Sequence, residues 1–586
     1  MSRLVLLVNP NKVHPPIAPY ALDVLTTALE DADFEVEVLD LTFRRDDWKT
    51  CLHEYFAERD PMLVGVTVRN TDTVYAFEQR PFVGEHREII TEIRRHTEAP
   101  IVGGGIGFST MPFALVEYFG IDYGVKGPGE KILCELAEAV AEGRETTGIA
   151  GLIRNTERGA VRVPPAVLTV RHGQAQQVDA TGQFEPRVWQ VDRQSVYRRR
   201  SGVPRRVDNL EYYRRGGLGS ILTKNGCAYR CSHCVEPDAK GTRYGQRELA
   251  SVVDEMESLA AQGILDQHTT DSEFNLSIAH AKNLLREIVR RRHADPDNPL
   301  NGLRLWVYCQ PSPFDEEFAD LLAAAGCRGV NVGSDHIRPE VLSGWKVTEK
   351  GGTYYTFEDT ERLVRLCHER GILTMVEALF GMPGETMETV RACVDAFMAL
   401  DATVTGFSLG LRLFPYTPMG IDIAEQCAGV RTVPGLQSNT AGGPIVLKPL
   451  RMCASPAEYE RQFMFDEHGN FRLVCWFSPG LLPDPARAAD PEERWHGPVA
   501  DLWAMIDPAD HHRVMLPTVE GMSEHDNNYA DNPFLTSLGG LGYTGAFWSH
   551  WRGREEIMRR AREGLALTGV PAPEPAGQSS HLPTPV

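Results

Sequence analysis

The sequence has no run of about 18 consecutive apolar residues and no segment with the length and flanks of a secretory signal. It therefore predicts neither a membrane span nor a membrane partner. Basic residues are also scarce, because 60 Lys and Arg stand against 80 Asp and Glu, a formal net charge of −20. This balance argues against nucleic acid as a partner. Twelve cysteines without a signal segment favour a reducing, cytoplasmic location over a disulfide framework.

The length of 586 residues predicts three or four domains. Residues 1–155 alternate apolar strand-like runs with helical periodicity, which predicts an α/β domain with a doubly wound, Rossmann-like sheet. A polar linker, 156–215, precedes six further strand–helix alternations in 216–420, which predict a partial (β/α)6 barrel. Residues 421–570 lack a long periodic pattern, and the Pro- and Ser-rich segment 571–586 predicts a loose tail.

Three cysteines lie within eight residues, directly after an apolar run that predicts a buried strand. Cys227, Cys231 and Cys234 have C-x3-C-x2-C spacing, and three thiolates on one tight loop can bind three irons of a four-iron cluster. A structural zinc site requires a fourth nearby ligand, and His233 would strain the loop if it served. Three unrelated core cysteines are the remaining alternative, which the close spacing disfavours.

Glycine-rich turns follow two predicted strands of the first domain, at 103–109 and 127–130. Ligands of doubly wound sheets bind beyond the carboxyl ends of the strands, which is where these turns are expected. Glycines let a large cofactor approach the backbone closely. No G-x-G-x-x-G motif opens the first helix, so a nicotinamide or flavin dinucleotide is disfavoured.

The cysteine spacing after a strand resembles the radical S-adenosylmethionine superfamily, and the glycine-turn domain in front of it resembles the cobalamin-dependent branch. The resemblance implies a [4Fe-4S] cluster on the three cysteines, cobalamin in the first domain and S-adenosylmethionine as cosubstrate. The residues that it assigns to cobalamin are Asn9, Gly103, Gly104, Gly105, Phe108, Ser109, Gly127 and Glu130.

The D-x-H-x-x-G motif that supplies the cobalt ligand in other cobalamin proteins is absent, and His14 is out of register with it. Arg69, after a central strand, is then the side chain expected beneath the cobalt, where a guanidinium has no lone pair to donate. Loss of the lower ligand favours cobalt(I), a stronger nucleophile. Pairing of Arg69 with a carboxylate of its own loop is the alternative.

Members of the superfamily commonly carry a small-small-Glu turn after the second barrel strand, which receives the methionyl amine. Here the turn is Asp271-Ser272-Glu273, without glycines. Two roles remain open for Glu273: a ligand that occupies the open iron, or a hydrogen bond to the cosubstrate ammonium. In the first case S-adenosylmethionine cannot chelate the cluster, and its cleavage to a 5′-deoxyadenosyl radical is suppressed.

Other polar residues stand at or after predicted barrel strands, where barrel chemistry belongs. Tyr308 is a candidate to orient a substrate or pass a proton, or else a core tyrosine with a satisfied hydroxyl. Contacts with the cosubstrate are expected from Ser334, Asp335, Glu377 and Arg412. The resemblance implies that the C-terminal region caps the substrate, and its aromatics suit a flat, apolar molecule or an ordinary core.

Along its whole length the chain resembles enzymes that methylate C2 of the tryptophan indole on the way to the quinaldic acid moiety of thiostrepton, a thiopeptide antibiotic. In the implied reaction, cob(I)alamin takes a methyl cation from S-adenosylmethionine and methylcobalamin delivers it to C2, without a 5′-deoxyadenosyl radical. The cofactors also imply an external one-electron reductant. A base is needed at the indole nitrogen, and Tyr308 or the cosubstrate carboxylate could serve.

Three rival functions differ in observable ways. A sibling enzyme that methylates an sp3 carbon through the 5′-deoxyadenosyl radical would release 5′-deoxyadenosine. A methylthiotransferase would need further cluster cysteines in the first domain and a basic C-terminal module, and the sequence shows neither. A non-catalytic cobalamin carrier would have no use for the cysteine loop.

Overall fold

The computed structural model describes residues 3–11, 16–74, 80–163, 168–171, 174–178, 184–185, 207–242, 244–346, 353–438, 444–516, 538 and 541–563. The predicted tail 571–586, His14 and much of the predicted linker lie outside these residues. No helix in the described part of the chain is long and apolar enough to cross a membrane.

Seven strands form the first sheet, in the order β2-β1-β3-β4-β5-β6-β7. The pairs from β2 to β5 are parallel, and β6 and β7 are antiparallel additions. The strands are β1 (Leu4–Asn9), β2 (Glu35–Asp40), β3 (Leu63–Thr67), β4 (Ile101–Gly104), β5 (Tyr123–Val125), β6 (Leu152–Thr156) and β7 (Gly159–Arg162). The connecting helices are α1 (Tyr20–Asp31), α2 (Trp48–Glu58), α3 (Val83–His96), α4 (Pro112–Phe119) and α5 (Glu130–Ala141). The doubly wound fold predicted for this region is confirmed.

Two small elements lie between the first sheet and the barrel. Three short antiparallel strands pair in the order β10-β9-β8, with bounds β8 (Leu168–Arg171), β9 (Gln174–Val178) and β10 (Phe184–Glu185). Helix α6 (Asn209–Arg214) then packs on the first sheet through Tyr212, whose hydroxyl donates to Asp40 at 2.7 Å. Part of the predicted linker is therefore folded against the first domain.

The second large sheet has the order β11-β14-β15-β16-β17-β18-β22, and every neighbouring pair is parallel. Its strands are β11 (Gly219–Ile221), β14 (Asp266–Thr269), β15 (Arg304–Cys309), β16 (Cys327–Asp335), β17 (Leu373–Phe380), β18 (Val404–Leu409) and β22 (Val514–Met515). The six predicted strands form the partial barrel as expected. The two-residue β22 joins the edge from a distant part of the chain and carried no sequence signal.

Helices cover the outside of the barrel, and several begin at a side chain that accepts a hydrogen bond from the first turn. Asp315 accepts from the N–H of Phe318, and Thr386 accepts from that of Thr389. Such caps satisfy the backbone donors that a helix start leaves unpaired. The helices are α7 (Glu236–Lys240), α8 (Leu249–Ala261), α9 (Ile278–Ala294), α10 (Glu316–Ala324), α11 (Pro339–Trp345), α12 (Phe357–His368) and α13 (Met387–Ala399).

The first half of the C-terminal region packs against the first domain. A small antiparallel sheet has the order β19-β21-β20, with bounds β19 (Leu411–Arg412), β20 (Leu436–Ser438) and β21 (Val474–Trp476). Its helices are α14 (Pro418–Cys427), α15 (Pro456–Arg461), α16 (Pro485–Ala489) and α17 (Pro491–Met505). Phe463 and Leu115 belong to one buried cluster, so this half shares a core with the first domain.

The last described segment closes the barrel from the opposite end. Trp548 and Trp551, before helix α18 (Arg554–Arg562), pack in one buried cluster with Trp306, Leu373 and Val404. Leu373 and Val404 are the first residues of β17 and β18, so these tryptophans lie at the amino ends of the strands. They form part of the core at the barrel floor and do not cap a site at the carboxyl ends.

Glu460 links the C-terminal region to the first domain. Its Oε2 accepts from the N–H of Ala114 at 2.7 Å, and its Oε1 accepts from the hydroxyl of Tyr416 at 2.9 Å. Complete burial raises the pKa of this carboxyl to about 8. The folded protein therefore retains a proton that the unfolded chain releases above its ordinary pKa of 4.5.

Because only the folded state retains this proton, the free energy of unfolding falls as the pH rises from about 4.5 to about 8. The contribution of Glu460 has a slope of up to about 1.4 kcal/mol per pH unit. Glu460→Gln, which mimics the protonated acid, is expected to flatten the dependence of the unfolding temperature on pH between 5.5 and 8. Glu467→Gln, at an exposed carboxylate, is the matched control. An unchanged slope in Glu460→Gln would contradict the assignment.

Candidate active site

A cavity of about 430 Å³ lies between the carboxyl ends of the first sheet and the barrel. The glycine turns that follow β4 and β5 line one side, together with residues 17–25 at the start of α1. The opposite wall belongs to the barrel: Ser220, Leu222, Asn225, Glu236, Lys240 and Thr270. Residues from both domains therefore surround one chamber, next to the cysteine loop.

The backbone at this cavity wall requires a glycine at position 105. Gly105 has a φ of +106°, and a Cβ on it would lie 2.6 Å from the carbonyl oxygen of Val68. Gly104 is different, because the protein atom nearest to a Cβ there would be the Val125 oxygen at 4.0 Å. The hydroxyl of Ser109 donates to Gly105 O and accepts from Gly127 N, so it ties the two turns together.

Eight of the residues predicted for cofactor binding line the cavity: Asn9, Arg69, Gly103, Gly104, Gly105, Ser109, Gly127 and Glu130. The carboxamide of Asn9 lies 3.0 Å from Asp40, Thr42 and Tyr212, so it also fixes α6 on the first sheet. The guanidinium of Arg69 donates to the Asn70 side chain at 2.7 Å.

Five predicted cofactor residues do not line the cavity: Phe108, Ser334, Asp335, Glu377 and Arg412. Phe108 is fully buried, with its ring against Gly103 and Gly124, so it fills core space that those glycines leave. Arg412 is buried and donates to Asp72 at 3.2 Å, and its guanidinium also bonds to backbone carbonyls. In this structure Phe108 is a core residue and Arg412 joins the barrel to the first domain, and the cofactor contacts expected from both stay predictions.

The cysteine loop runs from β12 (Lys224–Asn225) to α7, and β12 pairs with β13 (Gly245–Gln246). Cys227 N donates to Gly241 O, Cys234 N to Cys231 O, and Met419 N to Ser232 O. All three thiols are free, and burial raises the pKa of each, that of Cys231 to about 12. As placed in the described part of the chain, no three His, Cys, Asp or Glu side chains form a ready-made metal site.

Glu273 follows β14 and is buried beside this loop. Its Oε1 accepts from the amide of Gln310 at 2.8 Å, whereas Oε2 is buried without a hydrogen-bond partner among the described residues. Burial raises the pKa of Glu273 to about 8, although the nearby Lys346 ammonium and the Gln310 amide oppose the rise. The Glu273 carboxylate in turn adds to the rise in the pKa of the Cys227 and Cys231 thiols. The donor set of three thiols and one unpartnered carboxylate oxygen fits an iron–sulfur cluster.

Further inside the barrel, Tyr308 and Glu377 occupy the space beside two glycines. A Cβ on Gly333 would lie 2.7 Å from the Tyr308 hydroxyl, and one on Gly406 would lie 3.2 Å from Cγ of Glu377. Burial raises the pKa of Tyr308 well above 10 and that of Glu377 to about 7. The Tyr308 hydroxyl and the Asn331 side chain partly oppose the rise in the pKa of Glu377.

The end of β16 presents Asp335 to the site and Ser334 to the outer helices. Ser334 bonds through its hydroxyl to Thr360 of α12 at 2.7 Å, so its side chain has a structural partner. Asp335 pairs with the Lys346 ammonium at 2.5 Å and accepts from the Tyr355 hydroxyl. Burial alone would raise the pKa of Asp335, but the charge of Lys346 outweighs it and the pKa is lowered.

The sequence interpretation missed three side chains of this site: Lys224, Gln310 and Lys346. Gln310 and Lys346 stand in polar segments that no motif distinguishes. Lys224 had a usable signal, because a lysine beside an apolar strand must find a buried acid, and Asp271 stands in the turn after the next strand.

Two family models match the chain. The model of the radical SAM superfamily matches residues 221–397, and the B12 binding domain matches residues 6–137. These ranges contain the cysteine loop and the glycine turns. Together they define a radical SAM enzyme with a B12-binding domain, and the resemblance noted in the sequence is confirmed.

Comparison with similar proteins shows to which family within this class the chain belongs. Tryptophan 2-C-methyltransferase of Streptomyces laurentii is 64% identical over 581 residues, which are 95% of this chain and 97% of that protein. The radical SAM methyltransferase TsrM of Kitasatospora setae, solved with cobalamin and a [4Fe-4S] cluster, is 94% identical, with a TM-score of 0.90. Its structure with tryptophan and the analogue aza-SAM is 91% identical, with a TM-score of 0.88. Both structures cover 96% of this chain and 100% of their own. The chain belongs to the tryptophan 2-C-methyltransferase family.

The structural role of Arg412 can be tested by measuring protein stability. Arg412→Ala leaves the Asp72 carboxylate buried without its cation, which costs about 3–5 kcal/mol, so we expect a clearly lower unfolding temperature. Arg412→Met combined with Asp72→Asn removes both charges and is expected to recover most of the loss. If Arg412→Ala left stability unchanged and weakened cofactor binding, the result would support the predicted cofactor contact instead.

Proposed function

We propose that this chain moves a methyl group from S-adenosylmethionine to C2 of the indole of L-tryptophan and so forms 2-methyltryptophan. The observation that carries the proposal is the 64% identity to a tryptophan 2-C-methyltransferase across 97% of that protein. The TsrM structures with cobalamin, a [4Fe-4S] cluster, tryptophan and an S-adenosylmethionine analogue bound support the same ligands here.

Cobalamin would occupy the cavity between the domains, where it supplies a metal that accepts and releases the methyl group. The wall at Gly104 and Gly105 has no side chains, so a flat macrocycle can approach the backbone. Arg69 lines the same cavity and cannot act as a Lewis base, so it would exclude a protein ligand from the cobalt.

Cys227, Cys231 and Cys234 would hold the cluster, with Oε2 of Glu273 as the fourth donor. A carboxylate at the fourth iron leaves no place for the amine and carboxylate of S-adenosylmethionine. This arrangement favours a polar methyl transfer over radical cleavage of the cosubstrate. In the alternative role, Glu273 accepts a hydrogen bond from the cosubstrate ammonium. The fourth iron then stays open to S-adenosylmethionine, and radical cleavage is favoured.

Tyr308, Glu377 and Asp335 would bind and orient the organic ligands. Because burial raises the pKa of Tyr308 well above 10, its hydroxyl stays protonated and can donate a hydrogen bond but is a poor base. Of the two bases considered for the indole nitrogen, this favours the cosubstrate carboxylate. We also propose an external one-electron reductant. A cytoplasmic location completes the proposal, because the twelve free thiols suit a reducing compartment.

The proposal predicts the products of an anaerobic reaction of the reconstituted protein with cobalamin, S-adenosylmethionine and L-tryptophan. Mass spectrometry should find 2-methyltryptophan and S-adenosylhomocysteine in equal amounts, without 5′-deoxyadenosine. Cys227→Ala is expected to lose the cluster and the activity. Abundant 5′-deoxyadenosine without methyltryptophan would instead indicate the radical sibling that methylates an sp3 carbon.

The placement of cobalamin is tested at Gly104. Gly104→Val has room within the protein but extends into the cavity, so we expect normal folding and cobalamin affinity lowered at least about tenfold, the equivalent of 1.4 kcal/mol. Gly148→Val, at an exposed glycine with open space around it, is the control. Affinity is measured by equilibrium dialysis. Unchanged affinity in Gly104→Val would move the cofactor elsewhere.

A further inference from the structure

A buried ion pair connects the start of the cysteine loop to the turn that carries Glu273. The Lys224 ammonium lies 2.8 Å from Oδ2 of Asp271, and both side chains are almost inaccessible, at 2% and 0% exposed. Lys224 stands three residues before Cys227, and Asp271 stands two before Glu273. The pair therefore joins the two chain segments that approach the proposed cluster.

All three protons of the Lys224 ammonium are used in hydrogen bonds to protein oxygens. Besides Asp271, Lys224 Nζ donates to the backbone carbonyl of Glu273 at 2.6 Å and to that of Phe274 at 3.0 Å. A lysine ammonium has three donors and no acceptor, so none remains for a ligand. Its direct effect is to fix the backbone at Glu273.

Asp271 completes the link from the other side. Its Oδ1 accepts from the backbone N–H groups of Thr223 and Lys224, and its Oδ2 also accepts from the Thr223 hydroxyl. The carboxylate thus holds the end of the first barrel strand against the turn after the second. Glycine at this position would supply none of these bonds.

The side chain of Glu273 is then oriented by the Gln310 amide, which donates to Oε1, while Oε2 has no hydrogen-bond partner among the residues that the structure describes. A buried ion pair is by itself a weak source of stability, since apolar residues of similar volume often replace one without loss. What the pair does provide is a fixed position for the Glu273 backbone relative to the cysteine loop.

We propose that Lys224 and Asp271 are positioning residues that place the Glu273 carboxylate at the fourth iron and so keep S-adenosylmethionine from chelating the cluster. This inference rests on the proposed function, because it requires the cluster and the cosubstrate. Neither residue touches the substrate; both act through the backbone of Glu273. Without the pair, Glu273 is free to move away and the iron becomes accessible.

The test uses the full-length protein with its cluster reconstituted, and the variant Lys224→Met combined with Asp271→Asn. Removing both charges avoids a lone buried ion, and the amide oxygen introduced by Asp271→Asn would still accept from the two backbone N–H groups. Glu273→Ala serves as the reference for an open iron. Lys282→Met, which removes a lysine paired on the outer surface of the barrel, is the control.

The first readout is the electron paramagnetic resonance spectrum of the reduced cluster, with and without S-adenosylmethionine. The wild type and Lys282→Met should show no change on addition, whereas the double variant should shift as Glu273→Ala does. The second readout is 5′-deoxyadenosine released after reduction, expected to rise about tenfold or more over the wild type, since one buried hydrogen bond is worth about that factor.

Three outcomes would overturn the inference. The spectrum of the double variant could stay insensitive to S-adenosylmethionine with a full complement of iron. The double variant could lose iron, which would assign the pair to the cysteine loop instead of Glu273. The wild-type cluster could itself respond to S-adenosylmethionine. None of these readouts involves tryptophan, so they are independent of whether 2-methyltryptophan is formed.

Discussion

Two sheets meet here at the carboxyl ends of their parallel strands, and polar contacts that are at least partly buried join them. Lys126 pairs with Asp238 at 2.8 Å beside the glycine turn, and Arg247 of the barrel donates to the Tyr20 hydroxyl of α1 at 3.2 Å. Arg412 and Asp72 make a third link. Because these contacts join the first domain to the barrel region, they help to set the distance between the glycine turns and the cysteine loop. Each group that faces the cavity takes its position from them.

Burial gives the groups at the barrel mouth their chemical character. Glu273 and Glu377 hold their protons near neutral pH because little solvent reaches them, whereas Asp335 stays ionised because Lys346 is adjacent. The raised pKa values of Glu273 and Glu377 thus reduce the repulsion among these three acidic groups. A metal bound by Glu273 would displace its proton, so occupation of the site and its charge are coupled.

The sequence was sufficient to predict those elements whose pattern lies within one short stretch of the chain. Alternating apolar runs located both parallel sheets, and cysteine spacing located the loop. It gave no signal of contacts that are remote in the chain: Arg412 bonds to Asp72, 340 residues away, and Phe108 fills the space that Gly103 and Gly124 leave. The expectation that aromatics of the C-terminal region cap the substrate does not hold for Trp548 and Trp551, because a tryptophan is equally suited to a core.

The tryptophans at the barrel floor also impose an order on assembly. Residues 547–562 are made long after the six main strands, yet they cover Trp306, Leu373 and Val404. Until the ribosome has released this segment, the growing barrel exposes an apolar opening at its amino end. Contacts this distant in sequence form slowly, and exposed apolar surface promotes association between chains. The interval between synthesis of the sixth strand and synthesis of the floor is therefore the stage at which this apolar surface is open to association.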